Sequence, residues 1–390
     1  MSDGNVSSLP NVSQRERTQR GGSMKIHANA SLGLTLVLWA SLLGACAQTG
    51  PLIEMEPMHF EVVDKTGDSR VETLDPAVLF REAGAAFSEE DYTTAAAKYV
   101  LIIERFGDGR YGNVSRFNGA LALERAGRCE EALPLYQGLA ERVSGSKDAH
   151  DAIFRMASCQ EALERWKEAV AALDRVLAPE WKGIVTLDLL EAYSRRGWAR
   201  YKLGDLARAE RDYKRALKTY RKDIGNPAML GNRWVSMAQY EVGQIYSELF
   251  GAIRFRLPIE EMARDLEDKS NLFIKAQNAY VKAVRHHHRD FAVKSGFQLG
   301  ALFERMYDDM MAAEVPDDLT QEEIDVYYGE LRKHVKPLVT KAINIYERNI
   351  QLGRRLKGGE DWVNKTEAGL ARLKEVLRSD AEKDALEALK

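Results

Sequence analysis

Apolar residues in this chain recur in fixed registers at a spacing of 37 residues. The first register is aromatic and holds Phe80, Phe117 and Phe154. Three further registers keep the same spacing: Ala95, Ala132 and Ala169; Tyr99, Tyr136 and Leu173; Ile102, Leu139 and Val176. Four registers held together indicate an internal repeat, and a period between 20 and 50 residues is typical of stacked supersecondary units. The pattern therefore predicts a solenoid, an architecture that holds other molecules.

Each repeat is predicted to be a helix, a turn and a second helix. In the first four repeats a small residue on the first helix precedes an alanine on the second by 12 residues, as with Gly197 and Ala209. The corresponding gaps are 33 residues in repeat five and 42 in repeat six. We therefore expect helical insertions near 251–271 and 313–336, with Pro337 kinking or breaking the helix that follows. A last amphipathic helix over 362–377 precedes a charged C-terminal tail, 378–390, which suits a solvated cap.

This pattern resembles the tetratricopeptide repeat (TPR), whose helix–turn–helix unit carries Leu-Gly-x-x-Tyr and Ala-x-x-x-Phe elements. Repeat four is the nearest match, with Gly197, a turn at 203–205, Ala209 and Tyr213. The resemblance covers roughly residues 75–377, and it departs from the family in its longer spacing and its two insertions. It implies an all-α fold, a TPR-like α-solenoid in which about six helix pairs form a right-handed superhelix. Asp75 is expected to cap the first helix.

The N-terminal region has the pattern of a secretory signal. No Asp, Glu, Lys or Arg occurs between Lys25 and Glu54, and residues 32–39 form a short apolar run. A basic residue, an apolar run and a small-residue site are typical of a signal peptide, here 24–45. Met24 is then the expected true start. Residues 1–23 are polar and are interpreted as a misassigned start or a disordered extension.

The signal ends in Leu43-Gly44-Ala45-Cys46, which resembles the bacterial lipobox. That resemblance implies cleavage before Cys46, lipidation of its thiol, and a membrane contact made through the lipid. Ala47 in place of the aspartate that retains enteric lipoproteins favours the outer membrane, facing the periplasm. The alternative is an uncleaved anchor, since about 18 apolar residues just span a bilayer. Residues 46–74 are then a flexible tether, with alternation at 60–63 and 71–73 that suits a weak hairpin.

Charge and motif content exclude several functional classes. The net charge is −3, and the part after residue 45 carries −5 with no dense basic run, which argues against nucleic acid as a partner. The sequence has no phosphate-binding glycine loop, nucleophile elbow or zinc-protease motif, so we expect no cofactor and no enzyme activity. An enzyme would need buried charged groups with shifted pKa values converging in the insertions. His286, His287 and His288 cannot share one helix face, so a polar turn is predicted there instead of a metal site.

The first helices of such a solenoid are expected to line its concave face. Aromatic residues occupy that face in a row: Phe80, Phe117, Phe154, Trp198, Tyr201, Tyr240 and Phe297. The row could clamp an extended or helical peptide, or it could be packing between adjacent helices. If it is packing, the two insertions become the better candidates for a binding surface.

Two cysteines remain besides Cys46. Cys129 and Cys159 lie on helices that neighbouring repeats bring together. An exported chain meets an oxidising compartment, where they could form a disulfide. The alternative is a pair of buried thiols that pack as small apolar residues.

The sequence thus predicts a non-enzymatic, lipid-anchored scaffold that binds protein partners in an envelope machine. Its layout is similar to that of outer-membrane assembly lipoproteins and of myxobacterial gliding-motility TPR lipoproteins. The alternative is a module that binds a small ligand or senses the cell wall, which predicts a polar pocket instead of an aromatic strip.

Overall fold

The computed structural model describes residues 59–65, 68–107, 109–181 and 184–387. The predicted signal peptide, Cys46 and most of the tether lie outside these residues. The first elements are two strands, β1 (His59–Lys65) and β2 (Asp68–Leu74), paired antiparallel with His59 opposite Leu74. This is the hairpin that the alternating pattern indicated. It contacts the helical body where the ring of His59 lies 6.3 Å from that of Phe106.

The rest of the described chain is helical and forms six consecutive helix pairs followed by a single helix. This is an all-α solenoid, as predicted. The helices are α1 (Pro76–Ser88), α2 (Tyr92–Phe106), α3 (Gly112–Arg125), α4 (Cys129–Arg142), α5 (Lys147–Ala162), α6 (Trp166–Val176), α7 (Thr186–Lys202), α8 (Leu206–Lys222), α9 (Arg233–Ala252), α10 (Ile259–Arg285), α11 (Arg289–Met311), α12 (Gln321–Leu356) and α13 (Glu360–Glu387).

The helix ends follow from local sequence. Asp75 caps α1 by accepting hydrogen bonds from the backbone amides of Ala77 and Val78 at 2.8 and 3.3 Å, and Pro76 fits the first turn because its missing N–H is not needed there. Within each of the first four pairs, the turn contains one residue with positive φ. These residues occupy the equivalent turn position, spaced by 37, 37 and 40 residues: Glu90, Gly127, Glu164 and Gly204. A left-handed residue just after a helix ends it, so this position sets where each second helix begins.

Each pair is closed by a small residue on its first helix that faces a buried side chain on its second. In the last three pairs that residue is glycine, at Gly197, Gly243 and Gly300. A Cβ at Gly300 would lie 2.2 Å from the ring of Tyr346, and Tyr346 is fully buried. In the second pair Ala120 takes the same place opposite Tyr136. The small residue therefore sets how closely the two helices approach.

Gly300→Ala should lower the free energy of unfolding by about 1–3 kcal/mol, because the new methyl group would displace a ring that has no room to move. Gly138→Ala is the matched control, since it lies inside α4 and a methyl group there would meet no neighbouring side chain within 4 Å. There the gain in helix propensity should stabilise the protein by about 0.5–1 kcal/mol. Urea unfolding measures both, and equal effects would contradict this account of pair closure.

The fifth and sixth pairs are longer than the others. Their second helices, α10 and α12, have 27 and 36 residues, so the residues added near 251–271 and 313–336 are largely helical. Pro337 was predicted to kink or break the helix. The prediction of a break was wrong, because α12 runs through Pro337. Val335 and Val339 on either side are fully buried and hold both halves in the core. Tertiary packing outweighs the hydrogen bond that proline removes.

The C-terminal residues also depart from expectation. Helix α13 continues to Glu387, well into the segment that was predicted to be a charged tail. The hydroxyl of Tyr307 donates a hydrogen bond to Asp380 at 3.1 Å, so part of that segment docks on α11. Among the helices of the described residues, none is both long enough and apolar enough to cross a membrane.

Candidate functional site

The aromatic row on the first helices is partly buried and backed by tyrosines of the second helices. The ring of Phe80 stands edge-on to Tyr99 at 5.6 Å, and Phe117 stands edge-on to Tyr136 at 5.9 Å. In the sixth pair, Phe297 stacks on Tyr346 at 5.9 Å. Phe80 and Phe297 also contact a second ring, Tyr111 at 5.0 Å and Trp362 at 5.4 Å, and each phenylalanine keeps some accessible surface. These phenylalanines therefore pack between helices, which is one of the two roles that the sequence left open, and stay partly exposed.

The fourth pair presents a stacked aromatic pair in place of a phenylalanine. Trp198 and Tyr201 lie nearly parallel with ring centres 5.5 Å apart. The ammonium group of Lys202 lies 5.4 Å from the Trp198 ring. The Tyr201 hydroxyl donates a hydrogen bond to Glu248 of the next first helix. These contacts fix two stacked rings midway along the row, with one basic and one acidic side chain beside them.

The position of Tyr240 in the repeat predicted an accessible ring in the aromatic row. In the structure Tyr240 is not part of the accessible row. Its side chain is only 1% exposed. It is covered by Tyr280 and Phe291, both 5.9 Å away, and by the ammonium group of Lys294, which lies 4.1 Å above its ring. The next repeat supplies Phe291 and Lys294, and this covering is not visible in the sequence of the fifth repeat alone.

Ion pairs between successive first helices lie beside the aromatic row and were missed by the sequence analysis. Glu124 of α3 pairs with Arg155 of α5 at 3.2 Å, and Glu161 of α5 pairs with Arg195 of α7 at 3.0 Å. The guanidinium group of Arg195 also lies 4.9 Å from the ring of Phe154. Burial raises the pKa of Glu161, and Arg195 opposes that shift. The sequence did carry the signal, because the two glutamates are one 37-residue period apart.

A buried ionic network joins the third and fourth pairs. The carboxylate of Asp212 is fully buried and accepts two hydrogen bonds from Arg196, at 2.6 and 2.9 Å, and one from Arg200 at 2.6 Å. Asp174 of the preceding pair accepts a further bond from Arg196 at 2.7 Å. Charged hydrogen bonds with this geometry fix the orientation of both partners.

Family comparisons agree with this repeat geometry. Tetratricopeptide-repeat models match residues 151–178 and residues 190–223, which cover the third and fourth helix pairs. The chain carries tetratricopeptide repeats. Repeats of this kind imply a scaffold for protein–protein interaction. No curated protein sequence matches the chain.

Solved TPR structures resemble the fold at low sequence identity. A TPR protein from Parabacteroides merdae is 13% identical, covers 75% of this chain and 98% of its own, and has a TM-score of 0.37. The C-terminal part of a TPR protein from Cytophaga hutchinsonii is 11% identical, with coverages of 78% and 98% and a TM-score of 0.43. YrrB, described as a TPR protein with an unusual peptide-binding site, is 16% identical, with coverages of 67% and 99% and a TM-score of 0.37.

The TPR core also contains a buried carboxylate without a salt-bridge partner. Glu241 of α9 is 4% exposed, and among the described residues no Lys or Arg nitrogen lies within ion-pair distance of it. Burial raises the pKa of Glu241 to about 7, with Lys294 opposing the shift from longer range. The same burial lowers the pKa of Lys294. The carboxylate of Glu241, whose burial costs stability, lies directly beside Tyr240, between the fourth, fifth and sixth helix pairs.

The two repeat cysteines and the histidine run lie in packed parts of the described chain. Cys129 and Cys159 are buried free thiols in hydrogen-bonding contact, so the disulfide that the sequence allowed is not present in the structure. Burial raises the pKa of both thiols, which makes them poor nucleophiles.

His286 ends α10 in the predicted inter-repeat turn, its ring 5.2 Å from that of Tyr220, and burial lowers its pKa to about 4. In the described ranges, no group of three His, Cys, Asp or Glu residues is arranged to hold a metal.

Proposed function

We propose that this TPR protein is a non-enzymatic scaffold, anchored by a lipid on Cys46 in the outer membrane and facing the periplasm. It binds protein partners of an envelope complex through the aromatic row on its first helices. One observation carries the proposal: rings such as Phe117 and Phe154 are partly exposed at equivalent places in successive repeats. A regular row of such rings suits one extended or helical peptide better than it suits a compact ligand.

The supports behind the row favour binding. Aromatic side chains dominate binding energy when their surroundings hold them rigid and exclude water. Phe117 rests on buried Tyr136, and Phe154 lies between His150 and the guanidinium group of Arg195. A partner would meet pre-ordered rings and so lose little further side-chain entropy.

Phe117→Ala and Phe154→Ala should each weaken binding to a partner on this face by about 1–2 kcal/mol. Tyr92→Ala is the matched control, because Tyr92 is also a partly buried aromatic residue but begins a second helix. Co-purification from envelope extracts and thermal unfolding should be measured on the same preparations. Partner loss that appears only together with a large fall in melting temperature, or equally in the Tyr92 variant, would contradict a binding role.

The lipid anchor has its own test. Cys46→Ser, expressed in a Gram-negative host, should leave the precursor uncleaved and abolish labelling by a radioactive or clickable fatty acid, because the serine hydroxyl cannot form the thioether. Cys129→Ser serves as the control, since that thiol is buried in the repeat core, and it should label normally. Normal labelling of the Cys46 variant would exclude the lipobox assignment, whereas a wild-type protein that is neither labelled nor cleaved would favour the uncleaved anchor.

A ligand-binding module is the alternative function. The structure offers it a polar pocket of about 540 Å³ beside Arg289, Arg354, Lys357 and Glu360. That volume is within the range of small-molecule sites. The pocket is lined by exposed charged side chains and not by the apolar walls usual in such sites, so the aromatic row is the better-supported surface.

A further inference from the structure

The long second helices of the fifth and sixth pairs project from one edge of the solenoid. Helix α10 begins 17 residues before Ala276, and α12 begins 21 residues before Ala342, whereas α8 begins three residues before the equivalent Ala209. At 1.5 Å per residue, the projections add about 20 and 27 Å to a standard TPR helix. They lie at the edge where each first helix turns into its second.

The projection is fixed at its root by a buried lysine. Lys269 of α10 is fully buried, and its ammonium group donates hydrogen bonds to the carbonyl groups of Phe250 and Ile253 at 2.9 and 2.8 Å. It also pairs with Asp309 of α11 at 2.8 Å, and Arg254 holds that same carboxylate at 3.2 Å. These bonds tie α10 to the end of α9 and to α11, so the projecting helices are held in a fixed orientation.

An apolar groove lies between the two projections. Its walls are Met262 and Leu266 of α10 and Tyr327 and Leu331 of α12. Its floor is formed by Phe255, Met310 and Ala313. The cleft has a volume of about 90 Å³.

The apolar surface continues beyond the cleft. Ile259, Met262 and Leu266 are spaced i, i+3 and i+7, which places them on one face of α10. Leu266 is 40% exposed, Ile259 is 63% exposed and Val326 of α12 is 67% exposed. Ile259, Met262 and Leu266 therefore extend the groove as a partly exposed apolar strip along α10, and single scattered apolar residues would not give this arrangement.

Acidic residues outnumber basic ones in the segments that form the N-terminal ends of both helices. Between Ala312 and Arg332 the sequence has seven Asp or Glu residues and no Lys or Arg. The first ten residues of α10, 259–268, contain five Asp or Glu residues and one arginine. Thr320 and Glu323 form a capping box, so the acidic start of α12 is well-formed helix.

We propose that this groove binds an amphipathic helix of a partner protein, with one apolar face and flanking Lys or Arg residues. A cleft of this volume is below the range of small-molecule sites but has room for apolar side chains that a helix presents at i and i+3 or i+4. The acidic segments at the start of α10 and before Arg332 are complementary to a basic helix and repel an acidic one. The inference goes beyond the proposed function, because the groove lies on the extra residues of two repeats and not on the aromatic row.

A designed 18-residue peptide tests the groove directly. Its leucines lie on one helical face and all other positions are lysine, and the comparison peptide has glutamate in place of each lysine. Binding of the labelled peptides to the purified full chain is followed by fluorescence anisotropy. The lysine peptide should bind and the glutamate peptide should not. Leu266→Ser should weaken binding at least about tenfold, whereas Leu203→Ser, at 42% exposure on the turn of the fourth pair, should leave it unchanged.

A second matched pair guards against a folding defect in the Leu266 variant. Ile259→Ser, at 63% exposure on the groove side of α10, should also weaken binding of the lysine peptide, and Ile224→Ser, at 64% exposure elsewhere, should not. Equal binding of both peptides, or equal effects of groove and control variants, would overturn the proposal. Sedimentation that shows self-association abolished by Leu266→Ser would assign the groove to a second copy of this chain and would also overturn it. None of these outcomes depends on the Phe117 and Phe154 variants, so the two proposals fail separately.

Discussion

Asp212→Ala should lower the free energy of unfolding by about 3–5 kcal/mol. The wild-type carboxylate is fully buried and is held by Arg196 and Arg200 at 2.6 Å each. Removing it leaves the guanidinium group of Arg196, which is only 7% exposed, without its main partner. Urea unfolding followed by circular dichroism measures the loss.

Asp174→Ala is the control for this change, because Asp174 bonds to the same two arginines but is 50% exposed. Exposed ion pairs contribute about 0–1 kcal/mol, so the loss should be correspondingly small. If Asp212→Ala and Asp174→Ala lower the free energy of unfolding equally, burial does not determine how much each ion pair contributes to stability.

Glu241→Gln should have the opposite effect and stabilise the protein by about 2–4 kcal/mol at pH 8. Burial raises the pKa of Glu241 to about 7 in the folded protein, above the value of an exposed glutamate. The folded state therefore holds a proton that the unfolded chain releases, and stability falls as the pH rises from about 4 to about 7. Glutamine is neutral throughout and removes this loss.

Unfolding of the wild type and of Glu241→Gln should be compared at pH 4 and at pH 8. The two proteins should be about equally stable at pH 4, where the folded wild type is protonated and the unfolded chain largely so, and should differ at pH 8. A difference of the same size at both pH values would mean that the substitution acts through packing and not through the charge.

Asp212 and Glu241 are both buried carboxylates, but only Asp212 has salt-bridge partners in the described part of the chain. The salt-bridge partners of Asp212 are Arg196 and Arg200 on the paired helix α7, so the fourth repeat supplies them itself. Glu241 is covered by residues of the following repeat, among them Lys294, which opposes the raised pKa without forming an ion pair. Groups kept in unfavourable states are concentrated at functional sites, and Glu241 lies next to Tyr240, at the point where the accessible aromatic row is interrupted.

Much of the fold follows from local sequence. Small residues at Ala120 and Gly197, and the tyrosines opposite them, define the helix pairs, because close approach of two helices needs a small side chain against a large one. The helical character of both insertions was also predictable, from the helix-compatible run after Pro258 and from the capping residue Thr320 before the second one. The fate of Pro337 was not, because it depends on the burial of Val335 and Val339, a tertiary property.

The site was less predictable than the fold. The repeat register placed Phe117 and Phe154 at equivalent positions, where both keep some exposed surface, but it could not show that Phe291 and Lys294 cover Tyr240. The groove between the insertions needed the structure as well, since Leu266 and Tyr327 are 61 residues apart in sequence and meet only through the stacking of two pairs.

Photo-crosslinking in cells tests most directly whether the aromatic row binds protein partners. A photoreactive phenylalanine analogue would replace Phe154 or Tyr201 on the row, and Arg208 as the control, because Arg208 is 64% exposed on a second helix. We expect crosslinks to the same partner protein from positions 154 and 201 and none from position 208. Crosslinks from position 208 with none from the row, or no crosslinked protein from either row position, would contradict the account.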